Sequence, residues 1–498
     1  MPVGVTVSAV EIPPAITSNW NTTNQFIVGF TDGGPVGVPI AVTTLANVSA
    51  IGAPNGSINP YNSRDAGCAS VFDAIDKTLR EDGSASPMIY VSRVVHGTPA
   101  SASITLAPSA ALTLTAKYVG AGGNGIYVAV ANNTTYYTLS LQDSAGNVLV
   151  TSPQLTTLAA GVAWCATTGY VTAVSSGSTL PSTAAATAMS GGADNHASAT
   201  LTDIQNALAA FSPVLGPGQV MAPGMTNTTY SGLWSALATH ASTNNRVAIG
   251  SMDDNQPAAT EVTDLGTLGA SGVGTYIGMW AGNRNVPGIA SGTTRSLSPD
   301  STIAGLISRA DTATGNVNTA AAGIKYPPAY DLGPTSLVSG SPFDTYSNTD
   351  LQTLNAAGIN TFQTIDGVGC NYGFVTPVLM TADGIYWQFN HSRLRMWIVA
   401  QAQTIGQDYM FGQIDGQQGL QNAFATALEG MLDPLWRAGA LYGATGLGGA
   451  YAVDTGSDIN TPATMAAGQL NALLTVSFSY FAQNVQVTVN VVPIGTPV

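Results

Sequence analysis

Hydrophobic and polar residues alternate with period two in the segment 485–492, near the C-terminal end of the sequence. The apolar positions of this segment are Val485, Val487, Val489 and Val491. The alternation is typical of a strand with one buried face and one wet face. Such a strand can close its own sheet or pair with the sheet edge of a neighbouring subunit.

The N-terminal residues show a similar alternation, followed by two prolines at 13 and 14. The apolar positions here are Val3, Val5, Val7 and Ile12. Proline fixes an extended backbone and cannot continue a sheet ladder. The sequence therefore predicts an extended strand-like arm at each end, at 1–22 and at 481–498. Both arms can be read as edge strands of one domain or as links between subunits.

Helix and strand patterns alternate in two blocks, 23–97 and 191–350. Strands are predicted at 25–30, 88–95, 218–222, 246–250 and 274–280, and helices at 67–81, 201–211 and 229–241. This alternation favours a mostly parallel sheet in a layered α/β core. The stretch 298–346 is rich in Pro, Gly and Ser, and we expect it to traverse the surface.

The block 98–190 interrupts this core with a composition of Ser, Thr, Ala and Gly. Alternating runs occur at 112–116, 126–130 and 136–141, and no helical period persists. The pattern predicts a small antiparallel β-domain inserted into the core.

The block 351–480 combines predicted helices at 385–405 and 421–440 with strands at 450–453 and 470–478. It is predicted to be a C-terminal α+β domain. The fold class is therefore α/β and α+β multidomain, with a layered α/β core, an inserted antiparallel β-domain and a C-terminal α+β domain that carries the strand arms.

Composition limits the partners of the protein. The 498 residues exceed the size of one hydrophobic core, and the net charge of -14 argues against binding to a nucleic-acid backbone. No secretory signal and no apolar run of about 20 residues is visible, so direct membrane insertion is not predicted. The three cysteines are far apart and indicate neither a disulfide framework nor a zinc site. They fit synthesis in a reducing cytoplasm.

The motifs that carry chemistry are weak. Gly-Ala-Gly-Gly-Asn-Gly at 120–125 matches the dinucleotide fingerprint, but a strand follows it where the fingerprint requires a helix. We therefore expect a glycine-rich hairpin turn. Asp253 and Asp254 follow a strand with no base or metal ligand beside them, and are expected to lie in a solvated turn. No P-loop or nucleophile elbow occurs, and the four histidines stand alone. No catalytic residue, cofactor or metal is predicted, and the protein is not expected to be an enzyme.

Arg393 and Arg395 lie on the helix predicted at 385–405 and form a small basic site in a chain with 13 basic residues. Two interpretations are open for this pair. It is either a solvated helix face or a contact with an acidic partner.

Several short motifs follow one another in a fixed order along nearly the whole chain. They are Glu-Ile-Pro at 11–13, Phe-Ile-Val-Gly-Phe at 26–30, Gly-Pro at 34–35, the glycine turn at 122–130, Met-Ser-Gly-Gly-Ala-Asp at 189–194, Leu-Asn-Ala-Ala-Gly-Ile-Asn at 354–360, Leu-Asp-Pro-Leu-Trp-Arg-Ala-Gly at 432–439 and Gly-Gln-Leu at 468–470. This order resembles the contractile tail sheath proteins of bacteriophages and related injection machines.

The resemblance implies a subunit that polymerises helically around a tail tube and contracts to drive the tube through the host envelope. The implied partners are other copies of the chain, the tail tube protein, and baseplate and tail terminator proteins. The resemblance also implies a place in the virion after assembly in the host bacterial cytoplasm. Our own hypothesis within this interpretation is that Arg393 and Arg395 face an acidic tube surface.

Three alternatives stay open. A bacterial injection device uses the same kind of subunit as a phage tail. A self-assembling surface-layer or capsid protein fits the low charge and the paired arms. A secreted β-rich enzyme or adhesin fits the composition, but the missing signal and catalytic set count against it.

Overall fold

A computed structural model describes residues 22–31, 33–42, 71–83, 87–108, 111–253, 256–269, 273–287, 294–329, 346–365, 368–377, 388–443 and 449–482. The predicted arm positions Val3, Val5, Val7, Ile12, Val485, Val487, Val489 and Val491 lie outside the described residues. The arms therefore stay a prediction.

An eight-stranded sheet forms the centre of the larger part of the chain. In spatial order its strands are β17 (Val368–Tyr372), β16 (Ile359–Ile365), β13 (Ile277–Trp280), β12 (Val247–Ser251), β11 (Gln219–Met221), β1 (Gln25–Gly29), β3 (Ile89–Arg93) and β2 (Ile40–Val42). The strands from β16 to β3 run parallel, and the edge strands β2 and β17 are antiparallel to their neighbours. The five core strands predicted from the sequence are confirmed, as is their parallel arrangement.

Helices cover both faces of this sheet. One face carries α3 (Leu201–Ala209), α4 (Leu233–Thr243), α5 (Ala258–Gly269) and α7 (Asn348–Ala356). The other carries α1 (Val71–Glu81), α6 (Pro299–Thr314) and the first part of α8 (Phe389–Asp408). Side chains of β1 alternate between the two cores, since Phe26 and Val28 join the first and Ile27 joins the second.

The buried helix α6 contradicts the expectation of a loose surface segment at 298–346. Most of its residues are buried, although many are Ser, Thr or Asp. Ser308 donates to the backbone of Ala304 at 3.1 Å and accepts from Gln25 of β1 at 3.3 Å. Ile303, Leu306, Ile307 and Ala310 form an apolar stripe at helical spacing, and the buried hydroxyl of Ser308 is hydrogen-bonded on both sides, so this helix packs in the core.

Close packing of α6 against α1 depends on Gly305. A Cβ atom there would lie 2.5 Å from the Cβ of Glu81 and 2.9 Å from the carbonyl oxygen of Thr78. No side chain fits in that space, so this glycine lets the two helices approach closely.

Two antiparallel sheets form the inserted block. The first contains β4 (Ser103–Leu106), β5 (Leu112–Ala116) and β9 (Val171–Ser175), and the second contains β10 (Ala184–Ala188), β6 (Tyr127–Asn132), β7 (Tyr137–Gln142) and β8 (Val148–Thr151). They enclose a separate core that includes Leu112, Tyr137 and Leu139. The antiparallel β-structure is as predicted.

One helix of the inserted block was missed by the sequence reasoning. This helix, α2 (Leu158–Thr168), reads Leu-Ala-Ala-Gly-Val-Ala-Trp-Cys-Ala-Thr-Thr. Its own apolar residues are spread over all sides of the helix, so the sequence shows no helical period. The available signal was the cap at Thr157, whose hydroxyl accepts from the backbone N–H of Ala160 at 3.1 Å.

The chain divides into two compact units at residues 403 and 404. This division does not coincide with the boundary predicted near 350, because β16 and β17 belong to the eight-stranded sheet. The second unit holds α9 (Gly419–Arg437), β18 (Tyr451–Asp454), α10 (Pro462–Ala466) and β19 (Leu473–Val476). The first unit also holds the hairpin of β14 (Arg284–Pro287) and β15 (Thr294–Leu297).

Candidate functional site

Arg393 is buried in the first unit, where α8 packs against α6. Its side chain is fully shielded from solvent, and its guanidinium donates to the carboxylate of Asp311. The acidic partner of this arginine is therefore inside the chain. The expectation that Arg393 is exposed on a helix face, or faces a tube, is wrong for this residue.

Arg395 lies two positions further along α8 and is half-buried. Its guanidinium lies 4.0 Å from the centre of the Tyr276 ring, a cation–π contact. Arg393 and Arg395 thus have separate surroundings and do not form one exposed basic site. A contact between Arg395 and a partner stays a prediction.

A second buried charge cluster joins α1 to α6. Lys77 lies 2.5 Å from Glu81, and Arg309 of α6 lies 3.7 Å from the other carboxylate oxygen of Glu81. That oxygen also accepts from the backbone N–H of Ala329 at 2.7 Å. A buried carboxylate with this many donors holds the helices in one register.

Asp300 lies in the first turn of α6, where its buried carboxylate is held by hydroxyl and backbone N–H groups. Its carboxylate accepts from the hydroxyl of Ser298 at 2.7 Å and from the backbone N–H of Ser301 at 2.8 Å. Burial outweighs these hydrogen bonds and raises the pKa of Asp300 to about 6.

Arg246 ties the ends of several core elements together. Its guanidinium donates to the carbonyl oxygens of Phe211 at 2.7 Å, Ser212 at 2.7 Å and Gly216 at 3.0 Å, and it stacks on the ring of Phe26 at 3.8 Å. Beside it, burial and this positive charge lower the pKa of His240 to about 4. The uncharged imidazole fits a structural role.

The glycine motif at 120–125 forms a short 3-10 turn and then enters β6. A strand does follow it, as predicted. The turn is not a hairpin, however, because β5 and β6 belong to different sheets. It is the link between the two sheets of the inserted block.

This turn meets the motif at 189–194. Asn124 donates to the carbonyl oxygen of Gly192 at 3.0 Å and accepts from its N–H at 2.9 Å. The carboxylate of Asp194 accepts from the N–H of Ala121 at 3.2 Å. Two motifs that the resemblance singled out separately therefore form one contact.

The two chain crossings into the inserted block run side by side, and we call this region the neck (residues 94–102 and 189–196). Ala100 and Ala193 exchange backbone hydrogen bonds of 2.8 and 3.0 Å. Arg93, at the end of β3, donates to Gly34 at 3.0 Å and to Val119 at 2.6 Å. Arg93 thus fixes the inserted block to the Gly-Pro turn of the core, a role that the sequence alone did not indicate.

Asp253 is buried, so the expectation of a solvated turn is wrong for this residue. Asp254 lies outside the described residues. In the described ranges, no three His, Cys, Asp or Glu side chains are grouped so that they could hold a metal ion. No helix of those ranges is both long and apolar enough to cross a bilayer.

The sheet of the second unit contains two antiparallel strands, β18 and β19. The backbone N–H of Ser477 donates to the carbonyl oxygen of Ala450 at 3.0 Å. The backbone N–H of Ser477 therefore points towards the strand that contains Ala450. By alternation, the backbone groups of Leu474 and Val476 point away from β18. Within the described part of the chain, no strand pairs with this outer edge of β19 or with the outer edge of β18.

Comparison with solved structures finds similar folds in sheath proteins. The sheath tail protein of Desulfitobacterium hafniense is 15% identical and has a TM-score of 0.59, over 87% of this chain and 90% of that chain. The sheath tail protein of Listeria innocua is 14% identical and has a TM-score of 0.58, over 87% and 89%. A chain of the anti-feeding prophage baseplate in its contracted state is 15% identical and has a TM-score of 0.57, over 98% and 99%.

No protein-family model matches the sequence, and no curated protein matches it. The resemblance to sheath proteins is confirmed at the level of the fold.

Proposed function

We propose that the chain is the structural subunit of a contractile phage tail sheath, which polymerises helically around a tail tube and drives it through the host envelope. The observation that carries the proposal is the β18–β19 sheet, whose outer edges have no strand partner in the described part of the chain. A two-stranded sheet is marginal by itself. The likeness in fold to sheath tail proteins supports the same conclusion.

The arms supply the missing strands in this proposal. A segment with the alternation of 485–492 adds its valine face to a neighbour's sheet while its backbone pairs with an open edge. About four backbone hydrogen bonds of roughly 0.5–1.5 kcal/mol each make one link modest. Links at both ends of every subunit act together, so the sleeve assembles cooperatively.

Contraction in this proposal is a rearrangement between subunits that stay joined by their arms. The driving free energy is stored at assembly, and no step requires nucleotide hydrolysis or an enzymatic site. The proposed partners are other copies of the chain, the tail tube protein, and baseplate and terminator proteins. The proposed location is the phage tail. The sheath of a bacterial injection device is the alternative, favoured by the similarity to the anti-feeding prophage chain.

The arm model is tested by changing the two faces of the terminal segment separately. In one variant Val485, Val487, Val489 and Val491 become Asp. In the matched control, Gln486, Thr488 and Asn490 become Ser. Each purified protein is concentrated and imaged by negative-stain electron microscopy, with circular dichroism to verify folding.

We expect striated hollow tubes from the wild type and from the control, and folded particles that do not assemble from the valine-face variant. Deletion of residues 485–498 is expected to act like the valine-face variant. Tubes from that deletion would exclude the arm model. Flat sheets or closed shells from the wild type would instead indicate a surface-layer or capsid protein.

A further inference from the structure

The inserted block carries almost no charge. Between residues 98 and 190, Lys117 and Asp143 are the only charged residues of the sequence. One is basic and the other acidic, so the formal net charge of -14 belongs entirely to the rest of the chain. Ordinary soluble domains have about 25% charged residues. The block therefore differs from the core in the chemistry of its surface.

Both of these charges have partners inside the block. The carboxylate of Asp143 accepts from the backbone N–H of Ala145 at 2.8 Å and from the side-chain amide of Asn147 at 2.8 Å. The ammonium group of Lys117 lies 5.4 Å from the centre of the Tyr118 ring, a cation–π contact. The rest of the surface of the block is formed by uncharged side chains.

The strand β8 is the end of one sheet of the block. It borders β7, and no other strand of the described residues pairs with it. The backbone N–H of Ser152, directly after β8, donates to the carbonyl oxygen of Leu139 of β7 at 2.8 Å. By alternation, the backbone groups of Thr151 point away from β7, towards the open side of the strand.

The strand β9 is the end of the other sheet. It borders β5, and in the described ranges it has no second strand neighbour. The backbone N–H of Ser176 donates to the carbonyl oxygen of Ala111 at 3.3 Å. By the same alternation, the backbone groups of Ala173 and Ser175 point away from β5.

Each of these end strands exposes one valine. Val148 of β8 is 60% exposed, and Val174 of β9 is 67% exposed. Proteins usually protect such edges from pairing with other chains by placing charged residues or proline on them. β8 and β9 contain neither. Both edges therefore lack the usual protection against association.

A second copy of the chain fits these edges. Copies that each carry a net charge of -14 repel one another, and they approach at least cost where neither surface is charged. Contacts that build a helical array join two different patches head to tail. Since β8 and β9 belong to different sheets, one block supplies two such patches.

We propose that, in the assembled sleeve, β8 of one copy pairs with β9 in the inserted block of a neighbouring copy, with Val148 and Val174 at the contact. This inference rests on the proposed sheath function. The contact is separate from the arms and adds a further link between copies. Because β8 has only four residues, the link is weak by itself and acts together with the others.

The first test measures the concentration of the full chain at which half of the protein sediments as sleeves. Val148→Lys and Val174→Glu are compared with Val214→Lys and Val214→Glu, matched changes at a valine outside the block that is 85% exposed. Circular dichroism verifies that every variant is folded. We expect each change in the block to raise this concentration at least about tenfold, because the contact would bury an unpaired charge. The Val214 variants are expected to assemble like the wild type.

The second test asks whether the two strands meet. The double variant Val148→Lys/Val174→Glu places opposite charges on the two sides of the contact, and Val148→Glu/Val174→Glu places like charges there. We expect the first to assemble at a concentration at least about threefold lower than either single variant, since opposite charges attract. This recovery should shrink at about 0.5 M NaCl, where charges are screened. The like-charged pair should show no recovery.

The outcomes separate this inference from the proposed function. Wild-type assembly by Val148→Lys and Val174→Glu overturns the inference and leaves the sheath proposal standing. Equal impairment of the opposite-charged and like-charged double variants also overturns it, because the two strands would then not face each other. A wild-type chain that forms no sleeves contradicts the sheath function itself.

Discussion

Arg393 of α8 and Asp311 of α6 form a buried ion pair between residues 82 positions apart in the sequence. Arg393 also donates to the carbonyl oxygen of Thr319, which follows α6, at 3.5 Å. The pair therefore fastens the first part of α8 to the helix layer under the eight-stranded sheet. Residues from two distant parts of the sequence become one packed layer through this contact.

Replacement of Arg393 by Met is expected to destabilise the first unit by about 3–5 kcal/mol, because it leaves the carboxylate of Asp311 buried without its partner. Arg395→Met is the matched control on the same helix, and is expected to cost about 1 kcal/mol or less, since it loses one ring contact. Urea unfolding at pH 7, followed by tryptophan fluorescence, measures both. Equal losses of unfolding free energy in the two variants would show that the buried ion pair does not contribute to stability.

The stability of the protein is expected to depend on pH through Asp300. Its pKa is raised from 3.8 to about 6, so the folded state binds the proton more tightly than the unfolded state. The stabilisation from that proton is complete below about pH 4 and is lost as pH rises through about 6. Asp300→Asn stays uncharged and should be more stable than the wild type at pH 7.

This advantage of Asp300→Asn should shrink by about 2 kcal/mol between pH 7 and pH 4. His240 acts in the opposite direction. Because its pKa is lowered to about 4, the folded protein becomes less stable as the pH falls. Both proteins contain His240, so its effect cancels in the difference between their unfolding free energies. A difference that is constant with pH would refute the assignment to Asp300.

Gly192→Ala is expected to destabilise the neck by about 1–3 kcal/mol, because the added Cβ would lie 2.3 Å from the carbonyl oxygen of Gly120. Gly266→Ala on α5 is the matched control, with no atom within 4 Å of its Cβ position. It should stabilise the protein by about 0.5–1 kcal/mol. Thermal unfolding compares the two, and limited proteolysis should show earlier cleavage near the neck in Gly192→Ala only.

The parts of the fold that the sequence predicted are those with a regular pattern. β1 reads as a continuous apolar run because both of its faces are buried, and the alternating strands of the inserted block each have one wet face. In α6 the apolar stripe is short and lies in a segment rich in Pro, Gly and Ser, a composition that favours a loop, and in α2 apolar residues occupy all sides of the helix.

The candidate sites were harder to predict for a related reason. The exposed or buried state of Arg393 depends on Asp311, and the neck contact depends on Asn124 and Gly192, which are 68 positions apart. Such pairs arise from topology and carry no local signal.

The paired crossings at the neck have a consequence for how this chain can change over time. Since Ala100 and Ala193 lie opposite each other and share two backbone hydrogen bonds, everything between them begins and ends at one point on the core. The inserted block is therefore an exchangeable module. A lineage can enlarge, replace or delete it with a short turn, and the eight-stranded sheet keeps every strand that it needs.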